Sequence, residues 1–190
     1  TLADDAPDHK ELSLVLTDIE NHTHRAGNII LGLRNLVRKE KGLLKPFEVT
    51  DLTTQTLALL STEARDLNID LTCELPEDAT VIGNRTQIAQ IIVNLVRNSF
   101  EALSSTPSGH VSVTVTTQPD TVTIEVADNG PGLPAGTKPF ATFESTKGAG
   151  LGLGLSICKS LAESNGGSIA YDQTADGSAI FKVKLIRVQS

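Results

Sequence analysis

The chain has 190 residues, 39% apolar and 21% charged, which fits a folded domain with an appendage rather than a disordered segment. Its net charge of -7 argues against nucleic acid as a partner, because a phosphate backbone is bound by clustered Lys and Arg. No apolar run approaches the roughly 18 residues of a membrane span, and no signal-peptide pattern stands at Thr1.

Residues 8–41 read as one long helix. Leu12, Val15, Ile19, His22, Ala26, Ile29, Leu33 and Leu36 recur at steps of three and four, a heptad seam. At 1.5 Å per residue the helix runs on the order of 50 Å. One apolar seam cannot bury itself, so a partner is expected: a preceding helix or a second copy of the chain. His22 lies on the seam beside His24. Neither is followed by an acid that can accept a proton, so His22 reads as a polar residue of a bundle core rather than a phosphoacceptor. The chain starts at Thr1 and contains no Met, and it is expected to be part of a longer protein.

Residues 39–46 form a charged linker ending in Pro46, the expected domain boundary. A short strand at 47–49 leads into a helix to about Asp66, capped by Thr50 or Asp51, with Leu52, Leu57, Leu60 and Ala64 inward. Ile69, Leu71, Cys73 and Leu75 alternate as a half-buried strand. Asn84, with Gln87 as capping partner, starts a helix to about Leu103 that buries Ile88, Ile91, Ile92, Leu95, Val96 and Phe100. Val111, Val113 and Val115 alternate, as do Val122, Ile124 and Val126, giving a hairpin that ends at Asp128. Residues 133–150 read as a mobile loop. A helix follows over 152–165, stopped by Gly166 and Gly167, then strands over 168–173 and 179–186 joined across Asp176-Gly177. The expected fold is a two-layer α/β (α+β) sandwich with a mostly antiparallel sheet. Cys73 and Cys158 have no Cys or His at ligand spacing. Both are expected to be buried reduced thiols in a reducing, cytoplasmic compartment.

Three stretches carry chemistry. Asn94 and Asn98 stand at i and i+4, on one face of a helix. An amide oxygen is a hard ligand suited to Mg²⁺. Glu101, one turn on, can steady Asn98, and Arg97 can reach a phosphate. A polar flank facing water is the plain alternative for all four. Asp128 ends a strand and precedes Asn-Gly-Pro-Gly. Its carboxylate can accept from an exocyclic amine, and Gly130 and Gly132 let the backbone approach a flat ring. An ordinary turn is the alternative. Gly148, Gly150, Gly152 and Gly154 precede a helix start, where backbone N–H groups cradle phosphate. Their spacing matches neither the dinucleotide fingerprint nor the P-loop, and a plain hinge is the alternative.

In this order the stretches resemble the boxes of sensor histidine kinases. Asn94-Leu-Val-Arg-Asn98-Ser-Phe-Glu-Ala102 is similar to the N box, and Asp128-Asn-Gly-Pro-Gly132 to the first glycine box. Phe140-Ala-Thr-Phe-Glu-Ser-Thr-Lys147 is similar to the F box, and Gly150-Leu-Gly-Leu-Gly-Leu-Ser156 to the second glycine box. The resemblance extends from Phe47 to Ile186 and implies a Bergerat-type ATP-binding fold of the GHKL superfamily. His24-Arg-Ala-Gly-Asn-Ile-Ile, followed by Leu33-Arg34, is similar to the second helix of the dimerisation and phosphotransfer hairpin. The implied domains are 1–45, that helix without its predecessor, and 46–190, the catalytic domain.

The resemblance implies ATP and Mg²⁺ as cofactors. Asn98 would coordinate the metal, and Asn94 would assist at the phosphates with Arg97 and Lys147. Asp128 would take the adenine amine above Gly130 and Gly132. Phe140, Thr146, Lys147, Gly150, Gly152, Leu153, Gly154 and Leu155 would form the lid. The implied partners are ATP or ADP, a response-regulator receiver domain, and a second copy of the chain through the long helix. No H box is present, so this chain is expected to bind nucleotide without phosphorylating itself. Two other readings carry weight. One is a hydrolysing ATPase of gyrase or MutL type, disfavoured because Asn94 stands where its catalytic Glu belongs. The other is a degenerate, non-catalytic interaction module, favoured by the altered F box.

Overall fold

The computed structural model describes residues 44–141 and 154–188. The chain divides into two units, Thr1–Lys39 and Glu40–Ser190, and the described residues all belong to the second. The helix expected over 8–41 lies outside them.

In chain order the elements are β1 (Lys45–Glu48), α1 (Val49–Asp66), β2 (Asp70–Glu74), β3 (Thr80–Gly83), α2 (Arg85–Ala102), β4 (His110–Thr117), β5 (Thr121–Asp128), α3 (Gly154–Ser164), β6 (Ser168–Gln173) and β7 (Ala179–Ile186). Five strands form the main sheet in the order β2-β4-β5-β7-β6, while β1 and β3 pair by themselves. Among the described strands only β2 and β4 run parallel; every other pair is antiparallel. This is the two-layer α/β sandwich that alternation in the strands implies.

Register makes the core. Val113 pairs with Val126 and Val126 with Phe181; Ile124 pairs with Val115 and with Val183. All are buried on the sheet face that the helices cover, because successive strand residues point to opposite faces. Ile88, Ile91, Ile92, Leu95, Val96 and Phe100 of α2 meet them from above, as the 3.6-residue pattern requires. Apolar burial of this extent, at roughly 25 cal/mol per Å², is the main term holding the two layers together.

The structure corrects four local expectations. The short strand β3 was absent from the sequence reading, and it pairs with β1 from Lys45↔Gly83 to Glu48↔Thr80. Helix α1 begins at Val49, and neither Thr50 nor Asp51 caps it. Thr50 Oγ1 instead donates to Pro76 O at 2.9 Å. Asn84 caps α2, but the Gln87 side chain does not return the bond. Asn84 Oδ1 accepts from Thr86 N and Gln87 N, but its own N–H donates to Asn165 Oδ1 at 2.6 Å. Cys73 is exposed, because β2 is an edge strand that the helix layer leaves partly uncovered.

Candidate functional site

The site grows from one contact between α2 and the end of β5. Asp128 continues the inward series Val122, Ile124, Val126, so its carboxylate points under α2 and is 5% exposed. Burying a carboxylate there is costly unless donors meet it. Ser99 Oγ donates to Oδ2 at 2.8 Å, and Gly130 N donates to Oδ1 at 2.9 Å. A side chain at Gly130 would stand 2.9 Å from Asp128 Oδ1 and 3.6 Å from Ala102 Cβ. The strand end and the last turns of α2 are thus one packed unit, and glycine at 130 is a steric requirement. Asn129 points elsewhere. Its Oδ1 accepts His110 N at 2.7 Å and its Nδ2 donates to Ser108 O at 3.0 Å, which secures β5 to the start of β4.

Asn94 and Asn98 run along the seam between α2 and α3. The Asn94 carboxamide hydrogen-bonds the thiol of Cys158, which is fully buried on α3. Burial pushes that thiol up to about 12, and the bond from Asn94 pulls weakly the other way. One turn on, Asn98 Oδ1 is the nearest group to Gly154, 3.9 Å from where a side-chain carbon would stand. Asn98 therefore faces the amino end of α3, where free N–H groups and the helix dipole favour anions. Ser99, adjacent to Asn98, holds Asp128. The amide pair and the strand-end acid lie on the same side of the sheet, at neighbouring positions of one helix.

Other expected site residues are placed differently. The Arg97 guanidinium turns to α1, where Nε and NH2 both donate to Glu63 Oε2 at 3.1 and 3.0 Å. In this conformation the Glu63 carboxylate is its partner, in a half-exposed ion pair. Glu101 is exposed on the last turn of α2. Gly132 has φ +65°, and a side chain there would collide with Gly177 O at 2.2 Å and Gln173 Nε2 at 2.3 Å. The β6–β7 hairpin thus requires glycine there. Phe140 packs edge-on against Phe181, with centroids 6.5 Å apart, and Leu155 packs on the same core from the first turn of α3. Thr146, Lys147, Gly150, Gly152 and Leu153 lie outside the described residues.

Three contributors escaped the sequence reading: Ser99, Cys158 as the partner of Asn94, and Tyr171. The Tyr171 hydroxyl accepts Leu133 N at 3.0 Å and so holds the chain leaving the glycine turn. Ser99 left a signal, since it is a polar residue at a buried position of the helical period, between Val96 and Phe100.

Among the described residues no group of three His, Cys, Asp or Glu can hold a metal ion. A hard cation would find one amide oxygen, Asn98, beside a helix start. That donor set fits Mg²⁺ carried by phosphate and water, not a protein cage.

A helix amide pair, a buried acid closing the neighbouring strand and a mixed sheet under one helix layer make up the GHKL ATP-binding arrangement. A family model described as histidine kinase-, DNA gyrase B-, and HSP90-like ATPase matches residues 83–189. The chain belongs to that family. Among solved structures, the catalytic domain of histidine kinase ThkA is 30% identical, with a TM-score of 0.68 over 77% of this chain and 99% of that one. ThkA in complex with the response regulator protein TrrA is 26% identical, with a TM-score of 0.76 over 98% of this chain and 53% of that one. Among curated relatives, the sensor protein FixL of Bradyrhizobium diazoefficiens is 36% identical over 165 residues, 85% of this chain. The chain spans 33% of that relative's length.

Proposed function

We propose that residues 46–190 bind Mg-ATP and serve as the catalytic domain of a sensor histidine kinase. Asp128 takes the exocyclic amine of adenine. Asn98 and Asn94 lie toward the phosphates, and the amino end of α3, with Gly154 and Leu155, meets their charge. Thr146, Lys147, Gly150, Gly152 and Leu153 belong to the lid, and Phe140 anchors its base to the core. Mg²⁺, held through Asn98, would neutralise charge on the phosphates. The γ-phosphoryl group then passes in line to a His of the longer protein, and from there to an Asp of a response regulator. In such a transfer positioning and charge stabilisation carry the catalysis.

The observation that carries this reading is the Ser99–Asp128 contact. It fixes an acid beside the Asn94–Asn98 face of the same helix. The ThkA–TrrA complex supports a receiver domain as partner. Residues 1–45 are proposed as the second helix of the dimerisation hairpin, pairing with a second copy. The proposed compartment is the cytoplasm, and no helix among the described residues is long and apolar enough to cross a membrane.

Calorimetric titration of Mg-ATP into the chain tests the pocket. Asp128→Asn is expected to weaken binding at least about tenfold, the scale of a lost hydrogen bond to a charged group. Unchanged affinity in that variant refutes the reading.

A further inference from the structure

We propose that Ser99 is a specificity-determining positioning residue: it orients the Asp128 carboxylate to accept a 6-aminopurine and to reject a 6-oxopurine. This rests on the nucleotide reading above.

Ser99 is 1% exposed near the end of α2. A buried hydroxyl on a helix usually donates to its own backbone one turn back. The buried Thr56 of α1 does so, donating to Leu52 O at 2.7 Å. Ser99 instead donates across the layer to Asp128 Oδ2 at 2.8 Å. The other oxygen, Oδ1, takes the Gly130 N–H at 2.9 Å. One donor on each oxygen fixes the plane of the carboxylate. An ionised carboxylate can only accept.

An anchored, acceptor-only carboxylate discriminates by sign. The adenine amine brings an N–H to it. The oxygen of hypoxanthine brings a second acceptor, so two lone pairs face each other. Without the Ser99 hydroxyl Oδ2 loses this anchor and the carboxylate can rotate, which blunts that discrimination. Ser99 therefore acts through Asp128 and need not touch the nucleotide.

The test is titration of ADP and of inosine diphosphate, each with Mg²⁺, into the full chain and its Ser99→Ala, Ser99→Thr and Asp128→Asn variants. Ser99→Ala is expected to weaken ADP about fivefold to tenfold while moving inosine diphosphate less than about twofold, and Ser99→Thr to restore the parent ratio. A parent-like ratio in Ser99→Ala overturns the inference, as does an equal loss for both nucleotides, which marks a purely structural serine. If Asp128→Asn abolishes adenine preference while Ser99→Ala keeps it, only this inference fails. If Asp128→Asn keeps the preference, or the parent chain binds neither nucleotide, the pocket reading fails with it.

Discussion

Asn165 closes the amino end of a helix whose cap residue stands 81 residues earlier in the chain: its Oδ1 accepts the backbone N–H of Asn84 at 2.6 Å. Its Nδ2 donates to Gln87 Oε1 at 2.8 Å and to Leu161 O at 2.7 Å. One carboxamide, 1% exposed, thus joins the end of α3 to the start of α2, the two helices whose seam carries Asn94 and Asn98. Asn165→Ala leaves the Asn84 N–H and the Gln87 oxygen without this partner. The expected loss is about 2–3 kcal/mol, read from the urea midpoint, because a stranded buried polar group pays its full desolvation penalty. A loss under about 0.5 kcal/mol would mean that water replaces the carboxamide.

A second lock holds β1 to β3. Glu48 Oε2 accepts the N–H of fully buried Ala79 at 3.0 Å, and Oε1 accepts the Thr80 hydroxyl. Glu48→Ala strands the Ala79 donor and is expected to cost about 1–3 kcal/mol in chemical denaturation. Glu48→Gln keeps an acceptor oxygen and is expected to recover most of that. Equal losses in the two variants would shift the cause to charge rather than hydrogen bonding.

Two glycines with positive φ separate backbone strain from collision. Gly132 (φ +65°) and Gly136 (φ +84°) both adopt the left-handed region. Around Gly136 nothing lies within 4 Å of an added side chain, whereas at Gly132 the hairpin atoms are at 2.2 and 2.3 Å. Gly136→Ala is therefore expected to cost only the conformational term, about 1–2 kcal/mol. Gly132→Ala pays that term and also displaces the β6–β7 turn. Its thermal midpoint should fall clearly further, and equal shifts would contradict the packing argument.

These locks show where the sequence is legible and where it is not. The alternation Val111-Val113-Val115 and Val122-Ile124-Val126, and the stripe from Ile88 to Phe100, appear in the chain because burial imposes their periods directly. The strand-end Asp128 and the helical Asn94–Asn98 pair were legible for the same reason, since each is placed by a local element. What escaped depends on partners distant in sequence. Thr80–Gly83 is too short to show a period and is a strand because β1 pairs with it and Val81 bridges to Arg187. Cys73 alternates like a core residue, but its strand took the edge of the sheet. Asn165 looked like an ordinary residue before a Gly-Gly stop. Ser99 broke an apolar stripe, and nothing local says that an acid 29 residues away faces it.

The two cysteines should differ sharply. Cys73 is exposed and Cys158 is 0% exposed. A thiol reagent at pH 8 is expected to label Cys73 rapidly in the native chain and Cys158 only after denaturation, because the thiolate is the reactive form. Burial raises Cys158 from its ordinary 9.0 to about 12 in the folded state. The unfolded chain therefore loses this proton first as pH rises, so the folded state binds more protons between those values. The stability contributed by the neutral buried thiol is complete below pH 9.0 and drains away as pH climbs toward about 12. In that window the slope reaches at most about 1.4 kcal/mol per pH unit. Cys158→Ala changes packing by an amount that does not depend on pH, so the test is the slope and not the offset. Urea midpoints at pH 8, 9 and 10 should fall more steeply for the parent than for Cys158→Ala. Parallel slopes would show that Cys158 keeps contact with solvent in the folded state, and that the seam beneath Asn94 is open to water.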